Sequence, residues 1–168
     1  NIDHYTSATF GCHENYLLSR EAPLTKRNID TLLTFLSVRI LLAGAGRIGM
    51  TQSPRRYGKQ EGVEHVPYQI SQRADFIQTD IYEWVQFNRA LINARDEPLA
   101  DYRRFRRLHL LLGDSNLLPF ANALKVGTTA LMLDLLEADA LPEITLHEPV
   151  GAMRKVSHHP NGPWKVEL

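Results

Sequence analysis

An imidazole, a carboxylate and an amide stand side by side in Gly11-Cys12-His13-Glu14-Asn15-Tyr16. In an extended segment alternate side chains share a face, so His13 and Asn15 reach one ligand while Glu14 points to the other side. Such a pair suits a metal held near phosphate oxygens; a hydrogen-bonded turn uses the same residues and is the commoner meaning of so short a motif. Ser71-Gln72-Arg73-Ala74-Asp75, read as a strand, sets Arg73 and Asp75 on one side with Ser71. A guanidinium grips phosphate or carboxylate through paired hydrogen bonds, and an aspartate holds Mg or orients the arginine. A structural ion pair accounts for them equally well. Asn93-Ala94-Arg95-Asp96-Glu97-Pro98 places Arg95 at a turn where backbone donors can meet an anion, or forms a solvated charged turn. Arg103, Arg104, Arg106 and Arg107 surround Phe105 just ahead of His109. Four guanidiniums there can take a nucleotide or an acidic peptide, although a charge run is more often a solvated face. His109 alone reads as a satisfied core histidine more readily than as a ligand.

The elements that must position these groups are legible in outline. Leu32, Leu33, Leu36 and Ile40 recur at helical spacing, which predicts a helix over 31–43 with Asn28 or Asp30 capping it and Gly44 ending it. From Gly44 to Val66 the chain turns to Gly, Pro, Gln and charge, with Arg47, Arg55, Arg56 and Lys59, and reads as a long surface loop. Tyr68 to Ile77 reads as a strand and Pro98 as a turn. Leu108, Leu110 and Leu112 alternate with His109 and Leu111 in a second strand that Gly113-Asp114-Ser115-Asn116 closes. Pro119 opens a helix with Leu124, Leu131 and Leu135 on one stripe and Gly127 inside it, either for a close approach or as a tolerated packing choice. A short helix near Val150 to Val156 and a strand from Trp164 complete the pattern. Strands and helices without a strict alternation predict an α+β fold.

The 168 residues, 43% hydrophobic and 23% charged, have the composition of one globular domain. Nineteen basic residues balance nineteen acidic ones, so no net field points to nucleic acid or membrane. The apolar run Leu32 to Gly46 is interrupted by Arg39 and too short to span a bilayer. The single cysteine, Cys12, precludes an internal disulfide and fits a reducing cytoplasm. Cys12 and His13 are adjacent and point apart on a strand, which argues against a thiol nucleophile. A Gly-Lys-Ser phosphate loop, a paired-cysteine zinc site and a Gly-x-Ser-x-Gly elbow are all missing. The chain opens on Asn1-Ile2-Asp3-His4-Tyr5 without an initiator Met, which suggests a segment of a longer protein.

Gly11-Cys-His-Glu-Asn-Tyr-Leu17, Ala43-Gly-Ala-Gly-Arg-Ile48, Ser71-Gln-Arg-Ala-Asp75, Ile92-Asn-Ala-Arg-Asp-Glu-Pro98, Arg106-Arg-Leu-His109, Gly113-Asp-Ser-Asn116 and Leu124-Lys-Val-Gly-Thr128 form an ordered set. Across nearly the whole chain that set resembles the family of the Pup ligase and the Pup deamidase or depupylase. The resemblance implies a glutamine synthetase-like fold, a curved and mostly antiparallel sheet with helices behind it. This chain would form the central part of one such catalytic domain. It also implies ATP and Mg as cofactors, a Pup-like protein tag as partner, and pupylated or target proteins as substrates. In the ligase, ATP would phosphorylate the side-chain carboxylate of the tag's terminal glutamate and a target lysine would then attack; in the depupylase the same pocket would hydrolyse that linkage or deamidate a terminal glutamine. By position, His13 and Asn15 would line the metal and nucleotide site, Arg73 and Arg95 would contact phosphate or the tag's glutamate, and His109 would support the pocket.

The match has departures. Leu99-Ala100-Asp101 stands where the family usually has His-Ala-Asp, Ala94 where threonine is commoner, and Gln78-Thr79-Asp80 replaces a more acidic segment. The family's early Glu-rich strand, its catalytic Asp segment and its C-terminal tag-binding domain have no counterpart here, so the chain by itself is expected to be inactive. Signals for the two activities are mixed: the Gly11 to Leu17 and Gly113 to Asn116 stretches look like the ligase, whereas Ser19-Arg20, Gly46 to Gly49, Ser71 to Asp75 and Gly127 to Leu131 lean toward the depupylase. A non-catalytic scaffold that retains the fold is the second reading, and Leu99 and the missing carboxylates are the features that favour it.

Overall fold

The computed structural model describes residues 10–48, 68–84 and 88–167. Four strands, β1 (Cys12–Ser19), β2 (Thr79–Tyr82), β3 (Ala90–Asn93) and β4 (Phe105–Gly113), form one sheet in the order β1-β4-β3-β2. β4 pairs antiparallel with both β1 and β3, and β2 lies parallel to β3, so the sheet is mostly antiparallel as expected. Along β1 buried Glu14 and Leu18 alternate with exposed His13, Asn15 and Leu17. That period of two gives the strand one covered and one open face. Leu108, Leu110 and Leu112 face the covered side and join Leu18, Leu32, Leu36, Leu136, Met153 and Val156 in the core. Gly113 ends β4 where any side chain would collide: a Cβ there would lie 2.5 Å from Glu14 Oε1 and 2.6 Å from the Cys12 carbonyl.

α1 (Lys26–Val38) starts five residues before the predicted helix, because Thr25 rather than Asn28 or Asp30 caps it and accepts from the Asn28 N–H at 3.2 Å. The first turn is polar and so carries no hydrophobic period. Arg39 separates it from α2 (Ile40–Ala43), which Gly44 ends in extended conformation. α4 (Pro149–His158) matches the expected short helix.

Four expectations are corrected. Tyr68 to Ile77 is not a strand: Gln69 makes a single bridge to Arg47, and the chain then turns through a 3-10 turn at Ala74–Phe76. The Ser71 hydroxyl accepts from the N–H groups of Arg73 (3.0 Å) and Ala74 (3.2 Å), a local alternative to a ladder. Among the described residues no strand follows Trp164; its indole instead donates to the His159 carbonyl at 2.7 Å. In α3 (Pro119–Glu137) the buried face is Lys125, Thr129, Leu133 and Leu136, while Leu131 and Leu135 are 65% and 41% exposed. The helix is apolar on both sides, so periodicity alone could not choose between them. Burial of Lys125 is compensated by the Asp114 carbonyl (2.8 Å) and Asn116 Oδ1 (3.0 Å). A Cβ on Gly127 would meet no described atom within 4 Å, so no close approach among the described residues requires a glycine there. Of the predicted surface loop, Arg55, Arg56 and Lys59 lie outside the described residues. Arg47 is not a free surface cation; it stands 3.5 Å from Asp75 and 5.6 Å above the Phe76 ring.

Candidate functional site

The β1–β4 register sets Asn15 opposite His109, and β3 places Asn93 beside His109 on the other flank. Between Cys12 and Glu14 the register shifts, so His13 opposes both Leu111 and Leu112. A bulge of this kind turns a side chain out of its ladder position. His13 Nδ1 comes to 3.4 Å from His109 Nε2, with ring centroids 5.2 Å apart. Next to them Arg107 Nε donates to Asn15 Oδ1 at 2.7 Å. Arg73 arrives from the 71–77 segment and its Nη2 donates to the Leu111 carbonyl at 2.9 Å. The charges of Arg73, Arg89 and Arg107 all act on the His13 imidazole.

His13, Asn15, Arg73 and His109 therefore gather at one place, as read from the sequence, and Arg95 does not join them by its side chain. Arg95 pairs with Glu97 at 2.8 Å, both more than half exposed, and only its N–H reaches the region, donating to Asn93 Oδ1 at 3.1 Å. Asp75 is not a partner of Arg73 on a shared strand face; it accepts from His158 at 2.6 Å. Of the arginine run, Arg107 alone is seen turned to the cluster. Arg103 and Arg104 lie over the rings of Tyr102 (5.8 Å) and Phe105 (5.0 Å), and Arg106 Nη2 donates to the Arg20 carbonyl at 3.0 Å. Arg89, an isolated arginine before β3, was not distinguishable in the sequence, which offers no motif around it. The spacing of Gly44, Gly46 and Gly49 is that of a dinucleotide loop, but it follows a helix here and not the strand such a loop needs.

Burial and then the neighbouring arginines hold both imidazoles below their ordinary range, His109 down to about 4. Both are therefore neutral near pH 7, and each can offer one donor and one acceptor nitrogen. Burial lowers Arg73 to about 10, which leaves it cationic. Because unfolded His109 titrates near its ordinary value of 6.5, the unfolded state binds more protons between pH 6.5 and 4. Stability is thus full above pH 6.5 and falls as pH drops toward 4. Urea titrations should lose about 2 kcal/mol more between pH 7 and 4.5 in the wild type than in His109→Gln. Equal slopes would contradict the neutral imidazole.

The cluster fits phosphate, since the Arg73 and Arg107 guanidiniums flank a sheet face that also carries neutral hydrogen-bonding rings, and Arg89 is near enough for its charge to act on His13 and Arg73. It fits Mg poorly. That ion takes oxygen ligands in octahedral array, whereas His13 and His109 supply nitrogen, and Glu14 lies on the opposite face bonded to Arg39 at 2.7 Å through both oxygens. Among the described residues no group of three His, Cys, Asp or Glu side chains could hold a metal. His13 as a metal ligand requires carboxylates from outside the described residues.

A mixed α+β sheet with helices on one face and a cationic, imidazole-bearing cluster on the other defines the class of protein. A family model described as Pup-ligase protein matches residues 1–168, and the chain belongs to that family. A depupylase of Acidothermus cellulolyticus is 40% identical over 162 residues, covering 96% of this chain and 30% of the relative. A Pup–protein ligase of Nakamurella multipartita is 40% identical over 161 residues, covering 95% of this chain and 33% of the relative. The Pup ligase PafA solved in complex with ADP superposes with a TM-score of 0.76 at 40% identity, over 94% of this chain and 33% of that one. PafA in complex with Pup gives 0.72 at 39% identity, over 94% and 29%. The chain spans about a third of the length of the relatives it matches. Among the described residues no helix is long and apolar enough to cross a membrane.

Proposed function

We propose that this chain contributes the phosphate-binding face of an ATP- and Mg-dependent enzyme acting on the C-terminal Glu or Gln of a Pup tag, as a depupylase or deamidase rather than a Pup–protein ligase. The observation that carries the reading is the meeting of His13, His109, Arg73 and Arg107 over one sheet face, in a family whose PafA is solved with ADP and with Pup. Arg73 and Arg107 would neutralise charge on the phosphate oxygens, and the paired imidazoles would hold a proton or a hydrogen bond beside them. Bound Mg would supply further charge neutralisation, with its carboxylate ligands drawn from outside the described residues. Relatives of equal identity carry both names, so the preference for depupylase rests on the Ser19-Arg20, Ser71 to Asp75 and Gly127 to Leu131 stretches of this sequence. The scaffold reading keeps one observation in its favour, the lack of a complete metal donor set among the described residues.

The test is chemical. The complete protein, given Mg-ATP and Pup ending in glutamine, is expected to release ammonia, and given a pupylated protein, to release Pup. Joining of Pup ending in glutamate to a lysine, without either hydrolysis, would make it a ligase. Absence of all three reactions would leave the scaffold reading standing and sink the enzymatic one.

A further inference from the structure

Two groups outside the cluster decide where Arg73 stands. On one side is the backbone of Gly11, the residue before β1: a Cβ there would lie 2.6 Å from Arg73 Nε, 2.7 Å from Cζ and 2.8 Å from Cδ. Real Cβ atoms do not approach so closely, so any other residue at position 11 drives the guanidinium from its place. On the other side is Asp114, buried just past the end of β4. Its Oδ1 accepts from the Ser71 hydroxyl at 2.9 Å, and its Oδ2 accepts from the N–H groups of Gln72 at 3.0 Å and Ala45 at 2.9 Å. Ser71 passes the constraint on by accepting from the Arg73 N–H at 3.0 Å. Burying a carboxylate is costly unless its lone pairs are met, and here three donors meet them. All three come from the two segments that lead into and flank Arg73.

We propose that Gly11 and Asp114 are positioning residues for Arg73: the carboxylate fixes the backbone from which the side chain departs, and the bare glycine leaves the clearance in which the guanidinium lies. The proposal rests on the reading of Arg73 as a phosphate contact. A residue placed only for stability would change melting behaviour and leave the coupling to Arg73 untouched. The two positions act on the arginine from opposite ends, one on its main chain and one on its guanidinium stem. They should therefore lose their effect together once that guanidinium is gone.

The experiment is a set of double-mutant cycles on the complete protein, read as ADP affinity by calorimetry. Gly11→Ala and Asp114→Asn are each expected to weaken ADP binding about tenfold in the wild type, within the loss that removal of the guanidinium itself would cause. In an Arg73→Ala background the further loss should shrink below about twofold. In unliganded protein Gly11→Ala should also shift the Arg73 side-chain Nε–H resonance. Wild-type affinity in Gly11→Ala, or losses that add in full on the Arg73→Ala background, would overturn the proposal. Should Asp114→Asn fail to fold, Gly11→Ala decides, because residue 11 lies outside the strand and the core. Weak binding by Arg73→Ala with unchanged Gly11→Ala sinks only the positioning role. Wild-type affinity in Arg73→Ala sinks the phosphate reading and the positioning role with it.

Discussion

Replacing Arg73 with alanine is expected to weaken ADP binding by the complete protein by about 2 kcal/mol, close to thirtyfold in Kd. The side chain is almost fully buried yet keeps its charge, since burial takes its pKa only down to about 10. A cation held in such surroundings attracts phosphate more strongly than one in water, because less solvent screens it. Its removal also takes one donor from the Leu111 carbonyl, so the variant must first be shown folded by circular dichroism and denaturation. Calorimetric titration then gives the answer, and an unchanged Kd in folded protein would remove Arg73 from the site. Arg95→Ala is the natural comparison. Its guanidinium faces Glu97 at the surface, and the expected change in ADP affinity is less than about threefold.

The largest effect on stability belongs to Arg39. Its guanidinium meets both oxygens of Glu14 at 2.7 Å and the Thr129 hydroxyl at 2.6 Å, with both charged side chains nearly inaccessible. Tyr16 adds its own hydroxyl to Glu14 Oε2 at 2.7 Å, and burial followed by that carboxylate pushes the phenol up to about 12. Removing one partner strands the other charge in the core, so Arg39→Ala should cost about 3–5 kcal/mol. A double replacement, Glu14→Leu with Arg39→Met, should recover most of that loss, because no charge is then left unpaired. Urea denaturation measures both. A loss below about 1 kcal/mol for Arg39→Ala would mean that water reaches the pair. The site depends on this contact as well, since β1 carries Glu14 on one face and His13 and Asn15 on the other.

The residues that could be read from the sequence were those whose chemistry follows from a strand's period of two. His13 and Asn15 share a face, and His109 alternates against Leu108 and Leu110, because both segments are regular strands paired in register. Arg73 stands beside them although its segment is not the strand that was expected, and the reason is physical. The Ser71 hydroxyl and the Asp114 carboxylate replace a ladder with local hydrogen bonds across 43 positions of sequence, which no local pattern displays. The same holds for Asp75, whose partners are distant in sequence: Arg47 in the bridge to Gln69, and His158 at the end of α4. Arg95 was drawn into the site by its neighbourhood in the sequence, yet two residues past the end of β3 its guanidinium pairs with Glu97 at the surface. In α3 the hydropathy pattern was ambiguous by nature: leucines line both sides, and the inward face was marked by Lys125 and Thr129, which a reading of apolar spacing passes over.

The central claim is that nucleotide phosphate sits over the face shared by His13, His109 and Arg73. The direct measurement is an ADP titration of the complete protein followed through its imidazole resonances. His13 and His109 are expected to shift together and saturate with one Kd, while His158 and His159, on and just beyond α4, stay in place. Saturable ADP binding that leaves His13 and His109 unmoved would contradict the account.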